Sequence, residues 1–344
     1  MNEQQQPLIK SKLLLNAFNS TNSFHHHTHR DISNHMCSHS EGSLGIEIWN
    51  VGGHLTEVLY MRASKHTSNI KHVAILYPGN PGIIQYYQQY AEALYRHFDG
   101  ELEIVGCSYL GHASYIANND SKIYSLDDQI THKVLFFDVV KAQYPASTNF
   151  ILIGHSLGTY MSLKVLSFRQ DCSIVKIVAL FPTLHSMSAS PNGRKASVYT
   201  FPPIRYVTRQ VISCIVSILP RNLLFLLVSA LTGIHGPVLY ITTNMLTSST
   251  NTANVLYLGA CEMHQIRDLN DLDVISTHAD KFIMYYGVDD GWSPVEHYQD
   301  MSRKVPAAKV MLCEKSVPHS FVVEHSGLMA KLSFEWLRDL VLQQ

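Results

Sequence analysis

The chain has 344 residues and a formal net charge of -1, with 26 Lys plus Arg against 27 Asp plus Glu. That length buries a core of useful size, and the charge balance argues against a nucleic-acid binder, whose footprint is a basic excess. Charged residues make up 15% of the chain, where an ordinary soluble domain has about 25%, and mean hydropathy is zero; so little surface charge directs attention to a lipid or membrane contact.

Residues 1–43 are rich in Gln, Asn, Ser and His and read as a disordered extension. Its apolar run Leu13–Leu15 is too short for a secretory signal, and no small-residue cleavage site follows. Six histidines fall between His25 and His39 without a regularly spaced acid or thiolate, so no metal site is expected there. Cys37, Cys107, Cys172, Cys214, Cys261 and Cys313 form no CxxC pair, which fits a reduced, intracellular chain with neither zinc nor a disulfide framework.

From Leu44 the pattern changes. Leu44 to Trp49 and Leu55 to Met61 are strand-like runs around Gly52-Gly53, a β-hairpin. His72 to Tyr77 and Glu103 to Ser108 are buried strands, each ending before a glycine. Leu126 to Val140 has apolar residues at helical spacing. Phe150 to Ile153 is a strand, Thr159 to Phe168 a helix and Val175 to Phe181 a strand stopped by Pro182. After a long interval Phe282 to Tyr286 is a strand, Val295 to Lys304 a helix, Lys309 to Cys313 a strand and Phe321 to Leu342 an amphipathic helix. A hairpin followed by repeating strand–helix units predicts an α/β fold over residues 44–344, with a mostly parallel central sheet and helices on both faces. The interval between Phe181 and Phe282 is too long for a plain loop and predicts an inserted cap over residues 183–280.

Gly154-His155-Ser156-Leu157-Gly158 follows a strand and opens a helix, the setting in which a GxSxG serine is a nucleophile. Small residues on both sides allow a sharp turn that lifts the hydroxyl off the sheet edge. Such a serine needs a base and an acid, in the order Ser, acid, His. The strand ending at Tyr286 runs into Gly287-Val288-Asp289-Asp290-Gly291, and Asp290 is preferred over Asp289 because the glycine after it can turn the carboxylate inward. His319, in the loop after the last strand, is preferred as base over His325, which falls in the terminal helical pattern. Two N–H groups should hold the oxyanion, that of Leu157 and one from Pro78-Gly79-Asn80-Pro81-Gly82. The prolines have no N–H, and Asn80 is the favoured donor. This chemistry requires neither a metal nor an organic cofactor.

The segments LYPGNPG, GHSLG, LFPT followed by SPNG, GVDDGWSP and VPHSF resemble the lipid droplet-associated serine hydrolases of the α/β-hydrolase superfamily, from about Leu44 to the carboxyl terminus. The resemblance implies an α/β-hydrolase fold, Ser156 as nucleophile, Asp290 as acid and His319 as base. It also implies a hydrophobic lipid ester as substrate, sterol esters included, and a place on lipid droplets and endoplasmic reticulum. The chain departs from some related hydrolases in having Pro-Gly where they carry His-Gly, which bears on the role of Asn80.

Within the cap, Val211 to Leu219 and Leu223 to Leu231 are apolar runs separated by Pro220-Arg221-Asn222. A continuous span would put Arg221 near the bilayer centre at roughly 2.5–3.5 kcal/mol, and Pro220 would break the helix. Residues 201–240 are therefore expected to dip as two short helices into one leaflet of a droplet monolayer or reticulum membrane, with Arg205, Arg209 and Arg221 near its headgroups. The expected activity is serine esterase cleavage of a lipid ester. The rivals are a thioesterase or acyltransferase with the same three residues, and a droplet-surface protein that organises droplet size or contacts with little hydrolysis. No nucleic-acid partner is expected, and the sequence names no protein partner.

Overall fold

The computed structural model describes residues 44–63, 70–114, 122–170 and 173–342, so the extension expected over residues 1–43 lies outside the described residues. Eight strands form one sheet in the order β1-β2-β4-β3-β5-β6-β7-β8. They are β1 (Leu44–Val51), β2 (His54–Met61), β3 (His72–Tyr77), β4 (Glu103–Cys107), β5 (Asn149–His155), β6 (Ile174–Leu180), β7 (Phe282–Gly287) and β8 (Lys309–Cys313). The Gly52-Gly53 hairpin pairs Val51 with His54, β2 is antiparallel to β4, and the remaining neighbours are parallel. The chain steps outward from β3 to β4 and then returns to place β5 on the other side of β3. Ligands in parallel sheets bind at such a reversal, beyond the carboxyl ends of the strands.

Alternation along the strands gives each face its helices. Ala74 and Leu76 of β3 and Ile151 and Ile153 of β5 join the core shared by α1 (Gln88–His97) and α11 (Ser326–Leu342). Their neighbours point the other way, where Tyr77 and Phe150 meet Phe136 and Phe137 of α2 (Leu126–Lys141) edge-on at 6.5 and 5.4 Å. Ser125 and Asp128 close a capping box at the start of α2, satisfying two backbone donors that the helix leaves free. Beside α2 lies α3 (Leu157–Phe168).

One boundary and one element differ materially from the sequence reading. The terminal helix starts at Ser326 rather than Phe321, because Phe321 is drawn wholly into the core against Tyr87, Tyr90 and Phe181. His325 consequently precedes that helix instead of lying in it. The helix α1 has no counterpart in the reading, since glutamines and tyrosines dilute its pattern; its inward residues are Tyr90, Ala91, Leu94 and Tyr95.

The segment between β6 and β7 is helical: α4 (Pro191–Ala196), α5 (Pro202–Ile218), α6 (Arg221–Thr232), α7 (Gly236–Thr247), α8 (Ser249–Gln265) and α9 (Leu272–Thr277), and α10 (Val295–Lys304) joins β7 to β8. The two apolar runs become α5 and α6, broken at Pro220. No residue of α5 is buried, and α6 turns only Leu224 and Val228 inward. Among the described residues no single helix is long and apolar enough to cross a membrane, and α6 and α7, which together would be, are bent by 111°.

Several histidines sit deep in this framework. Burial holds His112 and His297 down to about 4, and His132 and His155 well below the ordinary imidazole value. Unfolded, these groups take up protons near pH 6.5; folded, they refuse them. Stability is therefore fully present above about pH 6.5 and falls as pH drops towards about 4. Urea midpoints measured at pH 7.5, 6 and 5 should decrease in that order.

Candidate active site

The sharp turn after β5 depends on two close backbone approaches. Ser156 has φ 52° and ψ -121°, a backbone conformation that side chains rarely adopt and that costs of order 1–3 kcal/mol. A Cβ on Gly154 would lie 2.4 Å from the Gly158 carbonyl oxygen, and one on Gly158 would lie 1.9 Å from that of Tyr77. Only glycine fits at either position. The Ser156 N–H donates to the Leu180 carbonyl at 2.9 Å, tying the turn to the end of β6.

The structure brings Ser156, His319 and Asp290 into one hydrogen-bonded series. His319 Nε2 lies 2.9 Å from Ser156 Oγ, and His319 Nδ1 lies 2.6 Å from Asp290 Oδ2. An ionised carboxylate only accepts, so Nδ1–H donates to Asp290 and Nε2 is left to accept the serine proton. Asp290 Oδ1 accepts the N–H groups of Trp292 and Ser293 at 2.8 and 3.1 Å, and the side chain is wholly buried. Asp289 points to solvent. The Asp290 turn is pinned from outside: Ser293 Oγ donates to the Pro182 carbonyl at 2.6 Å, and Gly291 accepts the Asn192 N–H at 2.8 Å. The LFPT, SPNG and GVDDGWSP segments thus meet in space.

In the loop after β3, where the sequence predicts a second oxyanion donor, the backbone N–H groups are not equally available. That of Gly79 donates to Tyr87 Oη at 2.8 Å and that of Gly82 to the Gly79 carbonyl at 2.6 Å. Asn80 keeps a backbone N–H without a partner among the described residues, as does Leu157 at the first turn of α3. Asn80 also carries a link that the sequence does not suggest. Its Nδ2 donates to Glu262 Oε1 at 3.0 Å and to the Val255 carbonyl at 3.2 Å, both on α8, while its Oδ1 is buried without a partner among the described residues. Asn80, Ser156, Glu262, Trp292 and His319 share a cavity of about 270 Å³ with Met187, Leu256 and Met263. Among the described residues no cluster of three or more His, Cys, Asp or Glu could hold a metal ion.

A second chain of hydrogen bonds backs the first. Because a carbonyl only accepts, His155 Nε2–H donates to the His319 carbonyl at 2.8 Å. Its Nδ1 then accepts from Tyr87 Oη at 2.6 Å, and Tyr87 Oη in turn accepts the Gly79 N–H. Burial keeps the His155 imidazole neutral and pushes the Tyr87 phenol up, so this assignment of protons holds through the physiological range. One buried pair thus joins the backbone of His319 to the loop that carries Asn80. His155 was visible only as the variable residue of GxSxG, Tyr87 and Glu262 left no signal at all.

Comparison with known proteins places these features in a wider set. A family model described as lipid-droplet associated hydrolase matches residues 70–322. The lipid droplet-associated hydrolase of Mus musculus is 33% identical over 286 residues, covering 79% of this chain and 86% of that protein. Its counterpart from Dictyostelium discoideum is 30% identical over 307 residues, covering 84% and 93%. Among solved structures, a thermophilic esterase from Thermogutta terrifontis is similar with a TM-score of 0.56 and 13% identity, covering 86% of this chain and 99% of that one. At that identity the likeness concerns the fold.

Removing the Tyr87 hydroxyl leaves the Gly79 N–H and His155 Nδ1 buried without partners. Tyr87→Phe should therefore lower unfolding free energy by about 1–3 kcal/mol, measured by urea denaturation at pH 7.5, with secondary structure retained by circular dichroism.

Proposed function

Because this chain belongs to the lipid-droplet associated hydrolase family, we propose that it is a serine esterase that cleaves a hydrophobic lipid ester at a droplet or reticulum surface. The observation that carries this reading is the Ser156–His319–Asp290 series opening on a largely apolar cavity. Ser156 Oγ attacks the ester carbonyl carbon as its proton passes to His319 Nε2. Asp290 stays ionised, holding the imidazole in the right tautomer and offsetting its positive charge. The N–H groups of Leu157 and Asn80 stabilise the oxyanion, with the partial positive charge at the start of α3 behind them. Collapse of the intermediate expels the alcohol, which takes the proton from His319. Water, deprotonated by the same imidazole, then releases the fatty acid and restores the serine.

Access to a lipid surface falls to α5 and α6. Ile204, Tyr206, Val207, Val211, Ile215 and Ile218 of α5 and Leu223, Leu226 and Leu231 of α6 are exposed. So large an apolar patch on a monomer marks an interaction site. Helices of this length lie in one leaflet, and a monolayer over an oil core asks for nothing longer. The cap of residues 183–280, with 201–240 as its lipid-facing part, then carries the cavity wall to the substrate phase. A role in organising the droplet surface without hydrolysis would draw on the same apolar face.

A fluorophosphonate probe separates the two readings. Esterase action requires labelling of the wild type, none in Ser156→Ala, and labelling at least about 100-fold slower in His319→Ala, as expected for loss of a general base. An unlabelled, folded wild type, tested with and without an emulsion, would leave the organising role. A variant with Val207, Val211, Ile218 and Leu226 all changed to Asp should lose at least about tenfold of its binding to phospholipid-coated triolein droplets. Co-flotation measures this, and an unchanged melting temperature shows that the loss is local.

A further inference from the structure

Among the described residues Glu262 is the one carboxyl group in the wall of the cavity that holds Ser156 and His319. It belongs to α8 and is 4% exposed. One of its oxygens accepts the Asn80 amide, and the other has no protein partner among the described residues. Much of the surrounding wall is apolar, including Met187, Leu256, Ala260 and Met263. Burying a carboxyl in such a setting costs free energy unless hydrogen bonds repay it. Burial also raises its pKa to about 7, against the opposing pull of the Asn80 N–H, so near neutrality the group is present in both protonation states and can accept or donate. Tyr109 and Cys261 are the titratable neighbours that feel its charge, both raised first by their own burial. Neither supplies a hydrogen bond to the free oxygen. In ligand cavities a few placed polar groups in an apolar wall fix the orientation of what binds.

We propose that Glu262 is a specificity-determining residue: its free carboxyl oxygen hydrogen-bonds a hydroxyl group of the bound lipid, so that the site favours esters that retain a free hydroxyl, such as partial glycerides, over fully esterified or sterol esters. The inference rests on the reading of this cavity as the substrate site. It adds that the alcohol half is polar on one side. The same carboxyl holds Asn80 from the cap, so recognition of the hydroxyl and placement of the oxyanion donor share one side chain.

The test is binding rather than turnover, so that it stands apart from the esterase reading, whose own failure shows as an unlabelled serine. The full-length Ser156→Ala protein is titrated with 1-O-octylglycerol and with the same ether methylated on both hydroxyls, below their micelle concentrations. Quenching of Trp292, in the cavity wall, reports occupancy. The free diol should bind about 10- to 100-fold more tightly than its methylated form. In Glu262→Leu, Ser156→Ala the two should agree within about twofold, chiefly through weaker binding of the diol. Glu262→Gln keeps an acceptor for Asn80 and a polar group for the ligand, and should preserve most of the preference, which separates recognition from a fault in folding. Equal affinities in the Glu262 protein, absence of binding by either ether, or an undiminished preference in the Leu variant would each overturn the proposal.

Discussion

At Gly158 the backbone of α3 runs so close to the Tyr77 carbonyl that no side chain can stand between them. That contact brings the first turn of a helix against the end of β3. It forces the strained turn at Ser156, which only a fully packed surround can hold. Everything chemical then falls within reach. Ser156 and Asn80 of the β3 loop line one cavity, and Leu157, which opens α3, follows Ser156 directly. Relaxing this approach by even an ångström would draw Ser156 away from His319 and the β3 loop, because hydrogen bonds tolerate little displacement.

How much of this the sequence reveals depends on distance along the chain. The elbow is local, since five consecutive residues between a strand and a helix define it. The choice between Asp289 and Asp290 was also local: Asp290 accepts two N–H groups of its own turn, those of Trp292 and Ser293, while Asp289 faces solvent. His319 could be placed because it follows a strand end. Asn80 was harder. The prolines removed two positions from its loop, but excluding Gly79 required knowing that Tyr87 takes its N–H, and nothing in the sequence ties those two residues together. Glu262 was out of reach for the same reason, lying 182 residues from the Asn80 amide it accepts. The start of α11 is not legible in the sequence, because a helical pattern and a buried turn both ask for an apolar residue at Phe321, and packing against Tyr90 and Phe181 decides for the turn.

The site is also a place where buried polar groups are almost fully paired. Gly79, Tyr87, His155 and the His319 carbonyl form a line in which each donor meets one acceptor and each proton has a single place to be. Such a line resists rearrangement, because moving one member strands another. Against that order the loose ends stand out. Among the described residues Asn80 Oδ1 and one oxygen of Glu262 have no partner, and both belong to the contact between the β3 loop and the helical cap. The paired line is thus built on strand ends, and the two loose ends face each other across the contact between the β3 loop and α8.

The order of these parts along the chain has a consequence for how the protein is made. Ser156 is synthesised first, the exposed apolar helices α5 and α6 next, and Asp290 and His319 last. At roughly 5–20 residues per second, the stretch from Leu231 to His319 takes about 4–18 seconds to emerge. For that interval the growing chain carries Ser156 without the imidazole that will stand 2.9 Å from it, and a pair of helices whose apolar faces stay exposed even in the finished fold. Whatever those helices meet first, they meet before Asp290 and His319 have joined Ser156.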